Sequence, residues 1–358
     1  MTSPLSLVAA VSGGVDSAIA TARLKSLGHR VTAVHLLLRP EADEQSSATI
    51  TARGVAEALG APFEVWDMRP TFQTCVLQYF QNEYAAGRTP NPCLRCNSTV
   101  KFGTLLDQAL ERGFDGVATG HYARVIRLDG DDRVELRRAV DASKDQSYVL
   151  SVLTQEQLGR AWFPLGDSTK PQVRAEAASL GLPVAEGAES MDLCFIPDGD
   201  TGAWLRERLG PRPGEIVDET GALLGRHDGT YRYTVGQRKG LNIRVPAAGG
   251  DPRFVTRVDA TSGRVVAGPR EHLAVSAMRC GPAVWTSGTT PDKPLAVRVQ
   301  VRAHGGEHDA VVTPLPGGEV EVALPQPIVG VAPGQTAAFY DGIRVVGSAV
   351  INDTVRAH

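Results

Sequence analysis

Near the start of the chain stands Ser12-Gly13-Gly14-Val15-Asp16-Ser17, between an apolar run, Leu5 to Val11, and a helix-like stretch, Ser17 to Leu27. This order predicts a buried strand, a tight turn and the N-terminus of a helix. Glycines let the backbone approach a ligand closely, and the N–H groups and dipole of a helix N-terminus attract an anion. The loop lacks the lysine of the Walker pattern and closes on Asp-Ser instead. We therefore predict a phosphate-binding loop of another kind in preference to a plain turn.

The composition is that of an ordinary globular protein of two or three domains. The chain has 358 residues, of which 42% are hydrophobic and 22% charged, and it contains no apolar run long enough for a membrane span. The apolar N-terminus is short, lacks a basic region and reads as a first strand, not as a signal peptide. Five unevenly spaced cysteines do not make a disulfide scaffold, so we expect a cytoplasmic protein.

Charge is distributed unevenly along the chain. The net charge of −3 argues against indiscriminate binding of polyanions, yet residues 200–280 carry 13 Lys and Arg against 9 Asp and Glu. This segment is therefore the best candidate for a surface that contacts a phosphate backbone, although solvated surface charge would explain the surplus equally well.

From residue 1 to about residue 120 the sequence alternates between strand-like and helix-like segments. The predicted strands after the first are Val31–Leu38, Phe63–Trp66 and Gly116–Thr119. The predicted helices are Ser47–Leu59, Thr71–Ala86 and Phe102–Arg112, each with a glycine at its end. Such alternation predicts an α/β domain with a doubly wound parallel sheet, whose ligand lies at the carboxyl ends of the strands.

After residue 200 the helical periodicity fades and turns rich in Gly and Pro separate short β-branched runs. This pattern predicts two small β-rich modules, residues 200–280 and 281–358, of which the last is barrel-like. The domain division that we predict is thus 1–199, 200–280 and 281–358.

The second informative segment is Arg88-Thr89-Pro90-Asn91-Pro92-Cys93-Leu94-Arg95-Cys96-Asn97. Its two prolines predict a stiff loop that is not helical. Nearby basic residues favour a thiolate at the Cys-x-x-Cys pair, and a third cysteine, Cys194, stands far along the chain. Three interpretations compete at this point: unrelated buried thiols, a metal or Fe–S site with Cys93, Cys96 and Cys194 as ligands, and sulfur chemistry through a persulfide. We expect Cys75 and Cys280 to be structural.

Seven sequence blocks then occur in a fixed order. They are Ser12–Ser17; Gly87–Pro92 with Cys96-Asn97 and Lys101-Phe102; Ala118-Thr119-Gly120-His121-Tyr122; Ser143-Lys144-Asp145-Gln146-Ser147-Tyr148; Lys170-Pro171-Gln172-Val173-Arg174; Cys194-Phe195-Ile196; and Gly236-Gln237-Arg238-Lys239-Gly240-Leu241. In this order they resemble the tRNA-specific 2-thiouridylase family, whose first domain is a PP-loop ATP pyrophosphatase of the HUP type. The likeness runs from the first strand to Pro333-Gly334-Gln335 and covers nearly the whole chain.

The resemblance implies an activity, a tRNA-uridine 2-sulfurtransferase that replaces the C2 oxygen of the wobble uridine by sulfur. It implies that ATP, with Mg²⁺, adenylates that oxygen and that AMP and pyrophosphate are released. By the same resemblance Cys194 receives a persulfide sulfur from a donor protein, either a cysteine desulfurase or a sulfur-relay protein. Cys96 is then the nucleophile whose disulfide with Cys194 releases the sulfur onto the base.

The resemblance also implies two sets of binding residues. For the nucleotide they are Ala10, Val11, Ser12, Gly13, Gly14, Val15, Asp16, Ser17, Leu36 and Gly120. For the tRNA anticodon loop they are Asn91, Pro92, Cys93, His121, Lys144, Asp145, Gln146 and Gln335. Asp16 would assist Mg²⁺, although a carboxylate at that position also caps helices.

Two positions depart from the family pattern. Many members carry Asp where this chain has Cys93, which removes a candidate general base and creates the Cys-x-x-Cys pair. A [4Fe-4S] cluster held by Cys93, Cys96 and Cys194 is therefore an alternative source of sulfide. Members often carry Arg-Tyr where this chain has His304-Gly305, so a tRNA contact there is expected to be weaker.

Two further classes of function remain as alternatives. Another PP-loop ligase or amidotransferase would share the glycine loop. Such an enzyme usually needs a source of ammonia, but the sequence offers no glutaminase-like domain, and the cysteines would have no role in the reaction. A non-catalytic RNA-binding protein would not need the intact Ser12–Ser17 loop.

Overall fold

The computed structural model describes residues 4–128, 133–182, 184, 193–196, 198–243 and 250–357. Its strands are β1 (Ser6–Ala10), β2 (Arg30–Leu37), β3 (Phe63–Asp67), β4 (Gly116–Ala118), β5 (Ala123–Arg127), β6 (Val134–Arg138), β7 (Ala161–Trp162), β8 (Gly214–Val217), β9 (Leu223–His227), β10 (Phe254–Asp259), β11 (Arg264–Gly268), β12 (Ala274–Cys280), β13 (Val284–Trp285), β14 (Leu295–Gln300), β15 (His308–Pro314), β16 (Val320–Val329), β17 (Thr336–Asp341) and β18 (Arg344–Arg356). Its α-helices are α1 (Val15–Ser26), α2 (Ser47–Ala58), α3 (Arg69–Phe72), α4 (Gln78–Ala85), α5 (Pro92–Cys96), α6 (Leu105–Glu111), α7 (Ser147–Leu150), α8 (Gln155–Gly159), α9 (Lys170–Ser179) and α10 (Thr201–Leu209).

The first domain is built on a parallel sheet in the order β3-β2-β1-β4-β7. Every neighbouring pair is parallel, which confirms the fold predicted for this part of the chain. β1 and β4 lie side by side at the centre of the sheet, so the loops that follow them leave from the same edge. Connections from adjacent strands diverge at such a point, and ligands bind there in open α/β sheets.

Two helical segments differ from the sequence prediction. Residues 92–96 are helical, although we expected the prolines to prevent a helix there. Pro92 occupies the first helical position, where its missing N–H costs no hydrogen bond, and the Asn91 side chain accepts a hydrogen bond from the Cys93 N–H at 3.0 Å. A π-helical segment, Asn97–Thr104, then joins α5 to α6, and a second, Gln73–Leu77, joins α3 to α4. No helix in the part of the chain that the structure describes is long and apolar enough to cross a membrane.

The rest of the chain is β-rich, as predicted. A four-stranded sheet has the order β10-β11-β8-β9. Six strands then close into an antiparallel barrel in the order β12-β16-β15-β14-β17-β18, because β18 pairs back onto β12. The barrel core contains Val299, Phe339 and Cys280, all buried; β12 begins at Ala274, before the boundary at residue 281 that the sequence suggested.

A hairpin of the first domain extends the barrel sheet, which the sequence did not predict. β5 pairs with β6, and β6 meets β18 at Arg137 and Arg344. Arg138 then joins the two domains: its guanidinium lies 3.7 Å from the centre of the Tyr340 ring and donates to Asp145 at 2.7 Å. The first domain and the barrel therefore share a core instead of touching at their surfaces.

All three modules meet at Thr89, just before the cysteine-bearing helix α5. The Thr89 N–H donates to the Pro333 carbonyl at 2.8 Å, and the Gln335 amide donates to the Thr89 carbonyl at 2.6 Å. The Thr89 hydroxyl donates to Thr234 of the central module at 3.2 Å. Gly334 has a φ of +92° and a Cβ there would lie 2.8 Å from the Thr89 nitrogen, so only glycine fits this contact.

We predict that Gly334→Ala destabilises the junction more than a matched glycine replacement does. The left-handed backbone costs about 1–2 kcal/mol for alanine, and the clash with Thr89 adds about 1–3 kcal/mol of overpacking. Gly342→Ala is the control, since Gly342 also has a positive φ but a Cβ added there would meet no atom within 4 Å. Denaturant unfolding of both variants measures the difference in free energy. Equal losses would show that the contact with Thr89 contributes nothing.

Candidate active site

The glycine loop leaves β1 and turns into α1 through hydrogen bonds among its own residues. Gly13 has a φ of +82°, a conformation that glycine adopts without penalty. The Ser17 hydroxyl donates to the Gly14 carbonyl at 3.0 Å and accepts from the Ser12 N–H at 3.2 Å. α1 begins at Val15, two residues earlier than predicted, and Gly14 caps it without a side-chain hydrogen bond. The turn thus brings a helix N-terminus to the carboxyl edge of the sheet.

Asp16, in the first turn of α1, does not cap the helix. Its carboxylate accepts hydrogen bonds from the Lys170 ammonium, at 2.7 Å to each oxygen, and from the Tyr122 hydroxyl at 2.8 Å. Burial and the negative charge of Asp16 raise the pKa of Tyr122, so this phenol stays protonated and donates. Lys170 begins α9, and Tyr122 follows β4. Three separate elements therefore fix one carboxylate beside the loop.

The other residues predicted to contact a nucleotide lie along the same edge. Ala10 ends β1, and the buried Val11 donates its N–H to the Val34 carbonyl and accepts from His35. Leu36 lies near the end of β2, opposite Trp66. Gly120 packs on the loop itself: a Cβ there would lie 2.8 Å from Asp16 C and Ser17 N.

Cys96 and Phe195, the neighbour of Cys194, belong to one hydrophobic core. Cys96 ends α5 and is buried, and the next residue, Asn97, donates its side-chain amide to the Val149 carbonyl at 2.9 Å. Cys194 is exposed, but Phe195 beside it is buried among aromatic rings, 5.4 Å from Phe80 and 5.9 Å from Phe72 between ring centres. Both cysteines are free thiols. One core thus contains Cys96 and the residue that follows Cys194, while Cys194 itself is exposed.

A lysine influences both sulfurs. Burial raises the pKa of Cys96 to about 12, and the positive charge of Lys101 opposes that rise. Desolvation also raises the pKa of Cys194, against which Lys101 and Arg39 act. The presence of Cys194 raises the pKa of Cys96 further. At neutral pH Cys96 is a thiol, and Lys101 is the group that favours its thiolate.

No three His, Cys, Asp or Glu side chains among the described residues are grouped so that they could hold a metal ion. Cys93 lies one helical turn before Cys96 and also raises its pKa. As placed, Cys93, Cys96 and Cys194 do not form the ligand set of an Fe–S cluster. Asp16 is the carboxylate beside the glycine loop that fits the oxygen preference of Mg²⁺.

His121 is buried beside the cysteine site instead of being exposed to a ligand. Its Nδ1 lies 2.6 Å from the Thr119 hydroxyl, and its ring packs on Phe102 and Phe163. Burial, and next the positive charge of Lys101, hold the pKa of His121 well below its usual value. Its imidazole is therefore neutral, and its predicted contact with tRNA stays a prediction.

The predicted tRNA-contacting turn, Lys144 to Gln146, is connected to the glycine loop. Gln146 accepts from the Tyr122 N–H at 2.9 Å and donates its own N–H to the Tyr122 carbonyl at 2.8 Å. Asp145 points inward, where it accepts from Arg138 and from the Ser147 hydroxyl, each at 2.7 Å. The roles of this turn, of Asn91 and Pro92 and of Gln335 in binding tRNA likewise stay predictions, and the structure gives Asn91, Asp145 and Gln335 intramolecular partners.

Sequence reasoning missed two residues that the structure brings to the site, Tyr122 and Lys170, whereas Lys101 is among the basic residues that the sequence placed near the cysteines. Both missed residues stand inside the sequence blocks that carry the family resemblance. Their positions in the sequence gave no sign that Tyr122 and Lys170 both contact the Asp16 carboxylate, because they stand 106 and 154 residues after Asp16.

Three family models match the chain in succession. A tRNA methyl transferase HUP domain matches residues 5–198, a tRNA methyl transferase PRC-barrel domain matches residues 202–269, and an aminomethyltransferase β-barrel domain matches residues 275–351.

Curated relatives match along nearly the full length of the chain. A tRNA-specific 2-thiouridylase MnmA from Nocardioides sp. is 53% identical and aligns over 98% of each chain. Proteins described in the same words from Acidothermus cellulolyticus and Streptomyces coelicolor are each 51% identical. These alignments cover 98% of this chain and of the Acidothermus protein, and 99% of this chain and 97% of the Streptomyces protein.

We predict that Gly120→Ala weakens ATP binding by at least about tenfold, because the added methyl group pushes on the backbone of the glycine loop at an overpacking cost of about 1–3 kcal/mol. Calorimetric titration with ATP measures the change. Gly159→Ala is the matched control, since a Cβ at Gly159 meets nothing within 4 Å. Unchanged affinity in the Gly120 variant would show that the contact does not shape the loop.

Proposed function

Since this chain belongs to the tRNA-specific 2-thiouridylase family, we propose that it replaces the C2 oxygen of the wobble uridine of tRNA by sulfur at the expense of ATP. The observation that carries the proposal is one shared site. The ring of Phe102, next to Lys101, packs on His121, and His121 follows Gly120, which packs against Asp16 and Ser17 of the glycine loop. These contacts support sulfur transfer beside the edge of the sheet from which the glycine loop leaves.

Activation of the base comes first. A uracil C2 oxygen is a poor leaving group, so it attacks the α-phosphorus of ATP, the bond to the β-phosphate breaks, and pyrophosphate leaves. The N-terminus of α1 and the loop before it stabilise the negative charge that develops on the phosphates. Asp16 is the residue that would hold Mg²⁺, which would neutralise further charge on the phosphates. The product is a C2–O–AMP adduct with a good leaving group.

Sulfur transfer then follows in two steps. The terminal sulfur of a Cys194 persulfide attacks C2, and AMP leaves with the former base oxygen. Cys96 then attacks the Cys194 Sγ as a thiolate, the bond between Cys194 and the transferred sulfur breaks, and 2-thiouridine is released. The thiol proton of Cys96 goes to solvent, and a Cys96–Cys194 disulfide remains. A cellular thiol reduces this disulfide by two electrons before the next turnover.

The partners follow from the chemistry. The persulfide on Cys194 comes from a sulfur-donor protein, either a cysteine desulfurase or a relay protein, by exchange with a donor persulfide. The exposure of Cys194 suits this exchange, because the donor cysteine must reach its sulfur. The buried Cys96 suits the resolving role, since it reacts with Cys194 inside the same protein. A reducing cytoplasm would supply the thiol.

We predict that Cys96→Ala and Cys194→Ala each lower tRNA thiolation by at least about a hundredfold, because each removes an obligatory sulfur nucleophile. ATP affinity should stay within about twofold, since neither sulfur belongs to the glycine loop. Mass spectrometry of tRNA nucleosides measures the product, and intact-protein mass spectrometry measures the persulfide. The Cys96 variant should accept one extra sulfur atom from the donor, whereas the Cys194 variant should not.

Cys75→Ala is the matched control, because Cys75 is half-buried in the helical segment before α4 and belongs to no part of the proposed pathway. It should thiolate tRNA at the wild-type rate. Retention of thiolation by either active-site variant would contradict the persulfide route.

The Fe–S route is the alternative that Cys93 raises. It would need three cysteine ligands and cluster-bound sulfide, and the described side chains are not grouped for such a site. The main-chain N–H of Cys93 donates to the Asn91 side chain that caps α5.

We predict that Cys93→Asp keeps thiolation within about threefold of wild type, because the carboxylate leaves both sulfur nucleophiles in place. Protein purified without oxygen should thiolate tRNA fully after iron is removed by a chelator. Loss of activity on iron removal, together with a matching loss in the Cys93 variant, would favour the cluster.

A further inference from the structure

Lys170 places a positive charge at the start of the glycine-loop helix. Its ammonium lies 2.7 Å from each oxygen of Asp16, and its side chain is only 12% exposed. Removing a lysine and a carboxylate from water is costly, and a partly buried pair adds little stability in return. The pair stands where a polyphosphate would arrive, and an unpaired Asp16 there would repel it. These observations point to a role for the lysine in binding.

The backbone of Lys170 is fixed independently of its side chain. Its N–H donates to Asp141 at 2.9 Å, and a capping box between Thr169 and Gln172 starts α9. α9 packs on α1, where Arg23 binds Glu176 through two guanidinium nitrogens. Lys170 therefore keeps its position relative to the loop, and rotation of the flexible four-carbon stem is enough to exchange one anion for another.

We propose that Lys170 is a nucleotide-binding residue that exchanges the Asp16 carboxylate for the β- and γ-phosphates of ATP. This inference rests on the proposed function, since it assigns ATP to the glycine loop. Asp16, released from the lysine, becomes available to Mg²⁺, and Tyr122 keeps the carboxylate in place through its hydroxyl. The exchange leaves neither charge unpaired, because the lysine stays beside an anion and the carboxylate beside a cation.

Calorimetric titration with two nucleotides tests the proposal. α,β-Methylene-ATP, which is not cleaved at the reacting bond, carries all three phosphates, whereas AMP lacks the β- and γ-phosphates. Lys170→Met should weaken binding of α,β-methylene-ATP with Mg²⁺ by at least about tenfold, the worth of a hydrogen bond to a charged group. Binding of AMP should change by less than about twofold, and Lys170→Arg should keep part of the affinity for the triphosphate.

Two controls separate the proposal from a structural role. Lys25→Met removes a lysine charge from the other end of α1, where Lys25 donates to the Leu59 and Gly60 carbonyls, and it should leave both affinities unchanged. Asp16→Asn combined with Lys170→Met removes both charges; it should not recover the triphosphate affinity. Recovery in that double variant, equal weakening of both nucleotides, or unchanged binding in Lys170→Met would overturn the proposal. Failure of the proposed function is distinct, because wild-type protein would then form no 2-thiouridine in tRNA whatever its affinity for the two nucleotides.

Discussion

The contact between Gly120 and the glycine loop is the constraint on which the site depends. β1 and β4 are neighbours in the sheet, so the residues after them must share the space above its edge. That space is closed at Gly120, where any side chain would collide with the backbone of Asp16 and Ser17. The close approach brings the residues after β4 to the start of α1, and through it Tyr122 reaches the Asp16 carboxylate. The phosphate-binding geometry is therefore set by packing as much as by the loop's own sequence.

The cysteine half of the site depends on burial. The core that encloses Cys96 raises the pKa of its thiol to about 12, which protects it from unwanted oxidation and leaves Lys101 to favour the thiolate. Cys194, beside the buried Phe195, is exposed to solvent. The barrel and the central module hold this half from the other side, since both bond to Thr89 just before α5. A buried resolving thiol and an accessible carrier thiol are the arrangement that a persulfide relay needs.

The sequence predicted the parallel sheet, the glycine loop and a barrel-like last module, because each depends on local patterns of apolar residues and glycine. It failed at Pro92, since a proline that would break the middle of a helix is well suited to its first turn. The hairpin β5–β6 was missed because its pairing with β18 joins residues far apart in the chain. The same distance concealed the convergence of Lys170 and Tyr122 on Asp16. Sequence patterns do not show which distant side chains meet. In this protein the packing of α9 on α1 and the pairing of β1 with β4 decide it.

The central claim is that ATP activates the oxygen that sulfur replaces. It is tested most directly by a single turnover on tRNA whose wobble uridine carries oxygen-18 at C2. The account predicts that AMP contains the heavy oxygen in its phosphate, in the same amount as the 2-thiouridine formed. AMP without the label, or ADP and phosphate as products alongside 2-thiouridine, would contradict it.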